Sequence, residues 1–149
     1  MTAKELFDDI RGSMRFIFDK CDQRAELRAL AEKVTPSMSA APSGSGDGRK
    51  LENVVERIVE YDAEIEAELT DFFRKKDLAH EILCQMPDKK LRYVLEARYF
   101  SLKTYEKIAA DIGYSYFGLR KMHARALREA DKIMETMDFQ GFFETVDKS

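Results

Sequence analysis

Residues 91–133, LRYVLEARYFSLKTYEKIAADIGYSYFGLRKMHARALREADKI, decide the fold. Leu91, Val94, Leu95 and Arg98/Tyr99 give a short helix with one apolar face, and the stretch 101–103 breaks it. Thr104 is a good N-cap for YEKIAADI, which Gly113 stops, and Ser115 caps a last helix of about 115–136. Ala109 stands four residues before Gly113 and Leu119 six after it, with Ile108, Ile112 and Met122 apolar around them. Each position meets a physical demand. A close helix crossing needs a small side chain, the turn needs a residue tolerant of positive φ, and the second helix needs an inward apolar anchor. That set in register is the pattern of a helix-turn-helix.

Working outward, Pro87 marks a boundary and Asp88 is a helix-start residue. Upstream, positions 51, 55, 58, 62, 65, 69, 72, 76, 79 and 83 alternate spacings of four and three, and only Asp62 and Lys76 interrupt an apolar seam. Such a period predicts a long helix packed on a partner as in a coiled coil. The partner is a first helix over 4–34, with Leu6, Ile10, Met14, Ile17 and Cys21 on one stripe that slips near Arg24 before Leu27, Leu30 and Val34. Between them, TPSMSAAPSGSGDG at 35–48 reads as a flexible linker. Its GSGDG run lacks the Lys-Ser/Thr ending and the preceding strand of a phosphate loop. The expected fold is therefore all-α: an antiparallel helical hairpin over 1–86, a helix-turn-helix domain over 87–136, and a tail over 137–149 carrying Phe139, Phe142 and Phe143, which either folds back or docks elsewhere. Self-association through the hairpin seam, giving a homodimer, is a second use of the same pattern, because two helices alone bury little.

Composition narrows the function. The chain has 149 residues, 44% hydrophobic and 36% charged, with two Cys. The charged share suits helices with one solvated face, and no apolar run approaches the roughly 18 residues of a membrane span. The N-terminus shows no secretory h-region, so the expected location is the cytoplasm, without a membrane partner. Facing helices would leave Cys21 and Cys84 about 33 Å apart at a rise of ~1.5 Å per residue, so two buried or half-buried free thiols are expected. Neither they nor His80 and His123 have metal-ligand spacing, and no nucleotide loop or hydrolytic constellation appears. No metal, no cofactor and no enzymatic activity are expected. The net charge of −3 is unevenly spread: residues 87–135 hold 11 Lys and Arg against 7 Asp and Glu, a net of +4, leaving 14 against 21, a net of −7, elsewhere. The stretch 114–128 holds the cations Arg120, Lys121, Arg125 and Arg128 and no acidic residue. This is a compact electrostatic footprint for double-stranded DNA.

The same segment resembles region 4 of sigma-70-type factors on Arg98, Tyr99, Thr104, Tyr105, Glu106, Ile108, Ala109, Gly113, Ser115, Leu119, Arg125, Ala126 and Leu127. With its helical N-terminal half, the chain is similar to small phage and prophage transcriptional regulators of this type, including late-gene activators of the RinA or ArpU kind. The resemblance covers about a third of the chain and implies a sequence-specific DNA-binding regulator. The length leaves no room for the sigma domain that melts promoter DNA, so a complete sigma factor is not expected. Gly118 departs from the pattern, which usually has Thr there, and costs the helix up to ~1 kcal/mol relative to Ala unless close approach to DNA offsets it.

A recognition helix turns its N-terminal side chains toward base edges, making Tyr116, Phe117, Arg120 and Lys121 the candidate readers, with Arg120 the first choice for guanine. Arg125 and Arg128 are expected on phosphates, as are Lys103, Thr104 and Lys107 at the start of the preceding helix. His123 falls at an inward helical position and is expected in the core. Two other functions fit the pattern: a phage DNA-packaging recognition subunit, like the small subunit of terminase, and an adaptor that binds RNA polymerase without DNA. RNA polymerase is also an expected partner of the regulator.

Overall fold

The computed structural model describes residues 1–40 and 45–137, with side chains for 1–34 and 48–137. Among these residues there are five α-helices and no strand: α1 (Ala3–Ala40), α2 (Ser45–Gln85), α3 (Lys89–Leu95), α4 (Tyr105–Ile112) and α5 (Tyr116–Thr136), with a π-helical turn at Glu96–Phe100 prolonging α3. No helix among them is long and apolar enough to cross a membrane. The Phe-rich tail lies outside the described residues.

Local chemistry sets the helix ends. Thr2 and Glu5 close a reciprocal capping box at the start of α1: Glu5 N donates to Thr2 Oγ1 (3.2 Å) and Thr2 N to Glu5 Oε2 (2.9 Å). The expected 35–48 linker is shorter than its composition suggests, since α1 continues through Ala40 and α2 begins at Ser45. Helix elongation costs far less than nucleation, so two long packed helices carry even Pro36 and Gly46 into their end turns. Downstream, the Asp88 carboxylate accepts from Lys90 N and Leu91 N (2.9 and 3.3 Å), Thr104 caps α4, and Ser115 caps α5. Gly113 ends α4 with φ 71°, a left-handed conformation that favours glycine.

The described residues divide into two compact units, one of 1–14 with 71–137 and the other Arg15–Thr70. The division expected at Pro87 is therefore not where the packing divides. In the first unit, Leu6, Phe7 and Ile10 of α1 and Leu78, Ile82 and Leu83 of α2 are buried along with Leu91, Val94, Leu119 and Ala126. Phe7 meets Tyr99 at 5.2 Å between ring centroids and Phe100 at 6.3 Å, and Ala3 N donates to Asp131 Oδ1 of α5 (2.7 Å). Three short helices of about 50 residues bury too little apolar surface alone, and the ends of the long helices supply the remainder.

In the second unit, Tyr61 and Ile65 are the buried large apolar residues among those described. Charged groups do much of the joining. Lys20 pairs with Glu64 (2.9 Å) and Arg24 with Asp62 (2.7 Å), an order that requires α1 and α2 to run antiparallel here. Lys20 Nζ and the Arg57 guanidinium both lie over the Tyr61 ring, at 4.9 and 4.7 Å. The stripe slip at Arg24 and the seam interruption at Asp62 are thus two halves of one contact. Elsewhere the seam shifts: Ile65, Phe72, Ala79 and Leu83 are buried, but Val55 is exposed while Val54 and Ile58 turn partly inward. Of the two cysteines, Cys21 meets the expectation and Cys84 departs from it. Both are free thiols, Cys21 half-buried and Cys84 exposed, because Leu83 takes the inward position beside Cys84.

Candidate nucleic-acid interface

The elements that carry the site are locked together by one apolar cluster, Val94, Ala97, Ile108, Ala109 and Leu119, with Tyr93, Tyr105, Ile112 and Met122 packed on it. Small Ala109 allows α4 to approach α5, and Leu119 is fully buried, as their spacing around Gly113 requires. The residues 113–115 connect the two helices, so α5 presents its outer face from its first turn.

That outer face is cationic. Lys121, Arg125 and Arg128 are exposed and form no ion pair among the described residues. With Lys90, Tyr114 and Met122 they line a groove of about 480 Å³, whose one carboxylate, Asp88, accepts the two backbone N–H groups at the start of α3. Lys90 Nζ donates to Tyr114 Oη (3.2 Å) and so is held at the groove edge. Lys90 and Tyr114 were missed as site residues in the sequence. Lys90 lies 31 residues before Lys121, and only the packing of α3 on α5 brings them to one groove.

The other expected contacts are more varied. Phe117 is 77% exposed, whereas Tyr116 is 38% exposed and meets Phe117 edge-on at 5.8 Å. The Arg120 side chain is held by its neighbours rather than extended freely. Its guanidinium lies 4.3 Å from the Tyr105 ring centre and Nη1 donates to Tyr116 Oη (3.0 Å). Arg98 lies over the same Tyr105 ring at 3.8 Å and donates to Lys103 O (3.2 Å). At the start of α4, the expected phosphate contacts are already engaged. Lys103 and Lys107 share the Asp111 carboxylate at 3.1 and 3.0 Å, and Thr104 Oγ1 accepts from Lys107 N at 3.2 Å. Hydrogen bonds from Lys107 and Lys103 hold the Asp111 carboxyl below its usual range, and its negative charge offsets one of the two ammoniums.

His123 lies in the core, as its phase suggests, 6% exposed. Its Nε2 shares a hydrogen bond of 2.8 Å with the buried Tyr99 hydroxyl, and Tyr105 stands edge-on to it at 5.1 Å. Burial first, then the nearby Arg120 and Arg98 charges, lowers its pKa to about 4, so the imidazole is neutral near pH 7. Burial also pushes the Tyr99 phenol well above its ordinary value. Among the described residues, no cluster of His, Cys, Asp or Glu is arranged to hold a metal ion. Comparisons of the chain with family models, curated proteins and solved structures found no match.

Proposed function

We propose that α4, the Gly113 turn and α5 form a helix-turn-helix of the sigma region 4 type, and that the protein is a sequence-specific, DNA-binding transcriptional regulator of phage or prophage derivation. The observation that carries this reading is the row of unpaired cations Lys121, Arg125 and Arg128 on the outer face of α5, with Lys90 across the groove. An anionic rod with the width of its major groove matched to one helix is the partner this arrangement fits. Lys121 and Phe117 face base edges, and Arg125, Arg128 and Lys90 meet phosphates. Arg120, braced on Tyr105 and Tyr116, directs its remaining N–H groups toward guanine at the groove floor. Lys103 and Lys107 contribute less than their charges suggest, because Asp111 neutralises part of them.

The test is the salt dependence of duplex binding. Replacing Arg125 or Arg128 with Gln should weaken binding to all sequences and lower the slope of log K against log salt by about one each. Unchanged slopes in both variants would remove these residues from the interface.

The antiparallel α1–α2 segment is proposed to act as a coiled-coil hairpin that makes the protein a homodimer. Exposed Leu30, Val55 and Val59 in the Arg15–Thr70 unit support this second part. RNA polymerase remains a proposed partner of the regulator. A closed ring of many subunits in light scattering would instead indicate a packaging subunit, and polymerase capture without duplex binding an adaptor.

A further inference from the structure

Phe117 exposes 77% of its surface, more than any other large apolar side chain among the described residues. A lone exposed apolar residue needs no explanation, but the placement of this one does. It sits in the first turn of α5, and helical spacings of four, three and four put it on one face with Lys121, Ala124 and Arg128, all exposed. The ring is also braced. Tyr116 stands edge-on to it at 5.8 Å, and Tyr116 is itself held by the hydrogen bond from Arg120 and by edge contact with Tyr105 at 6.5 Å. On the same face Ala124 presents only a methyl, so the α5 backbone between Lys121 and Arg128 can approach a partner closely.

An apolar protein groove is a poor occupant for such a knob, because seating it would strip water from several unpaired cations with no carboxylate to receive them. A duplex provides both parts at once. Phosphates meet the cations at the groove walls, and the floor of the major groove offers one apolar group among its polar edges, the 5-methyl of thymine. We propose that Phe117 is a specificity residue that packs on a thymine 5-methyl group in the major groove, an inference that rests on the DNA-binding function proposed above.

The experiment uses the full chain and the duplex enriched by selection from random sequence, with each thymine replaced singly by uracil, which removes only the methyl. Wild-type protein should lose affinity about fourfold at one or two positions, the ratio for burying a single methyl group. Phe117→Ala should bind the thymine duplex more weakly and no longer distinguish it from the uracil duplex, whereas Phe117→Leu should retain part of the distinction. Unchanged helical content and melting temperature in both variants accompany this result, since the side chain is exposed. Equal binding of all uracil duplexes by the wild type would overturn methyl recognition while leaving DNA binding intact. Equal discrimination by Phe117→Ala would also overturn it, and so would a loss of affinity in that variant with no dependence on any methyl, the sign of a wedge between base steps. Failure of the wild type to bind any duplex would instead overturn the DNA-binding function itself, and this inference with it.

Discussion

At the scale of single residues, His123 links the core to the proposed recognition face, because its imidazole touches both Tyr99 and Tyr105, on which Arg120 rests. Unfolded, the imidazole takes up a proton near pH 6.5, and folded only near pH 4. The unfolded chain therefore binds more protons between those values, so stability is full above about 6.5 and falls as the pH descends toward 4. The loss attributable to this residue is about 2 kcal/mol between about pH 7.5 and about pH 5. Denaturant titrations at the two pH values should show that much less pH dependence in His123→Phe than in the wild type; the same dependence in both would place the effect elsewhere. The inward phase of His123 was legible in the sequence. Its partner was not, because Tyr99 is aimed by the π-helical turn, where Ser101 N reaches back to Glu96 O (3.0 Å) and shifts the phase of the helix by one residue.

At the scale of the element, the start of α5 depends on two residues that compete for one space. Ser115 Oγ accepts from Gly118 N at 3.0 Å, and a Cβ added at Gly118 would lie 3.1 Å from that oxygen. Removing the cap with Ser115→Ala should cost about 1 kcal/mol. Gly118→Ala gains up to about 1 kcal/mol in helix propensity but presses on the cap. In a double-mutant cycle, Gly118→Ala should be more stabilising in the Ser115→Ala background than in the wild type; additive effects would mean that the hydroxyl yields without loss. The close approach of Gly118 to the Ser115 hydroxyl, three residues away, was only hinted at by the serine cap in the sequence. The caps Asp88, Thr104 and Ser115 and the left-handed Gly113 were legible because each acts within three residues of itself. Asp111 was not legible as a partner of Lys103, because the intervening turn has to form before they meet.

At the scale of the whole molecule, the helical character was legible from the period of the apolar positions. The compact units were not, since nothing local in Phe7 announces that it packs against Tyr99, more than 90 residues away in sequence. The second unit buries so little that its exposed apolar positions bear on assembly. Replacing Val55 and Val59 together with Glu should leave helical content intact and shift the sedimentation equilibrium from dimer to monomer; a dimer of unchanged affinity would place the self-contact elsewhere. The charge division noted in the sequence, basic over 87–135 and acidic elsewhere, sits with the groove lined by Lys90, Lys121, Arg125 and Arg128. Selection of bound duplexes from a random-sequence pool, with the purified full chain at near-physiological salt, tests most directly the proposal that the α5 face reads DNA. The expected result is one enriched motif whose recovery is lost when Lys121 and Arg125 are both replaced by Ala; a pool that stays random after repeated rounds would contradict it.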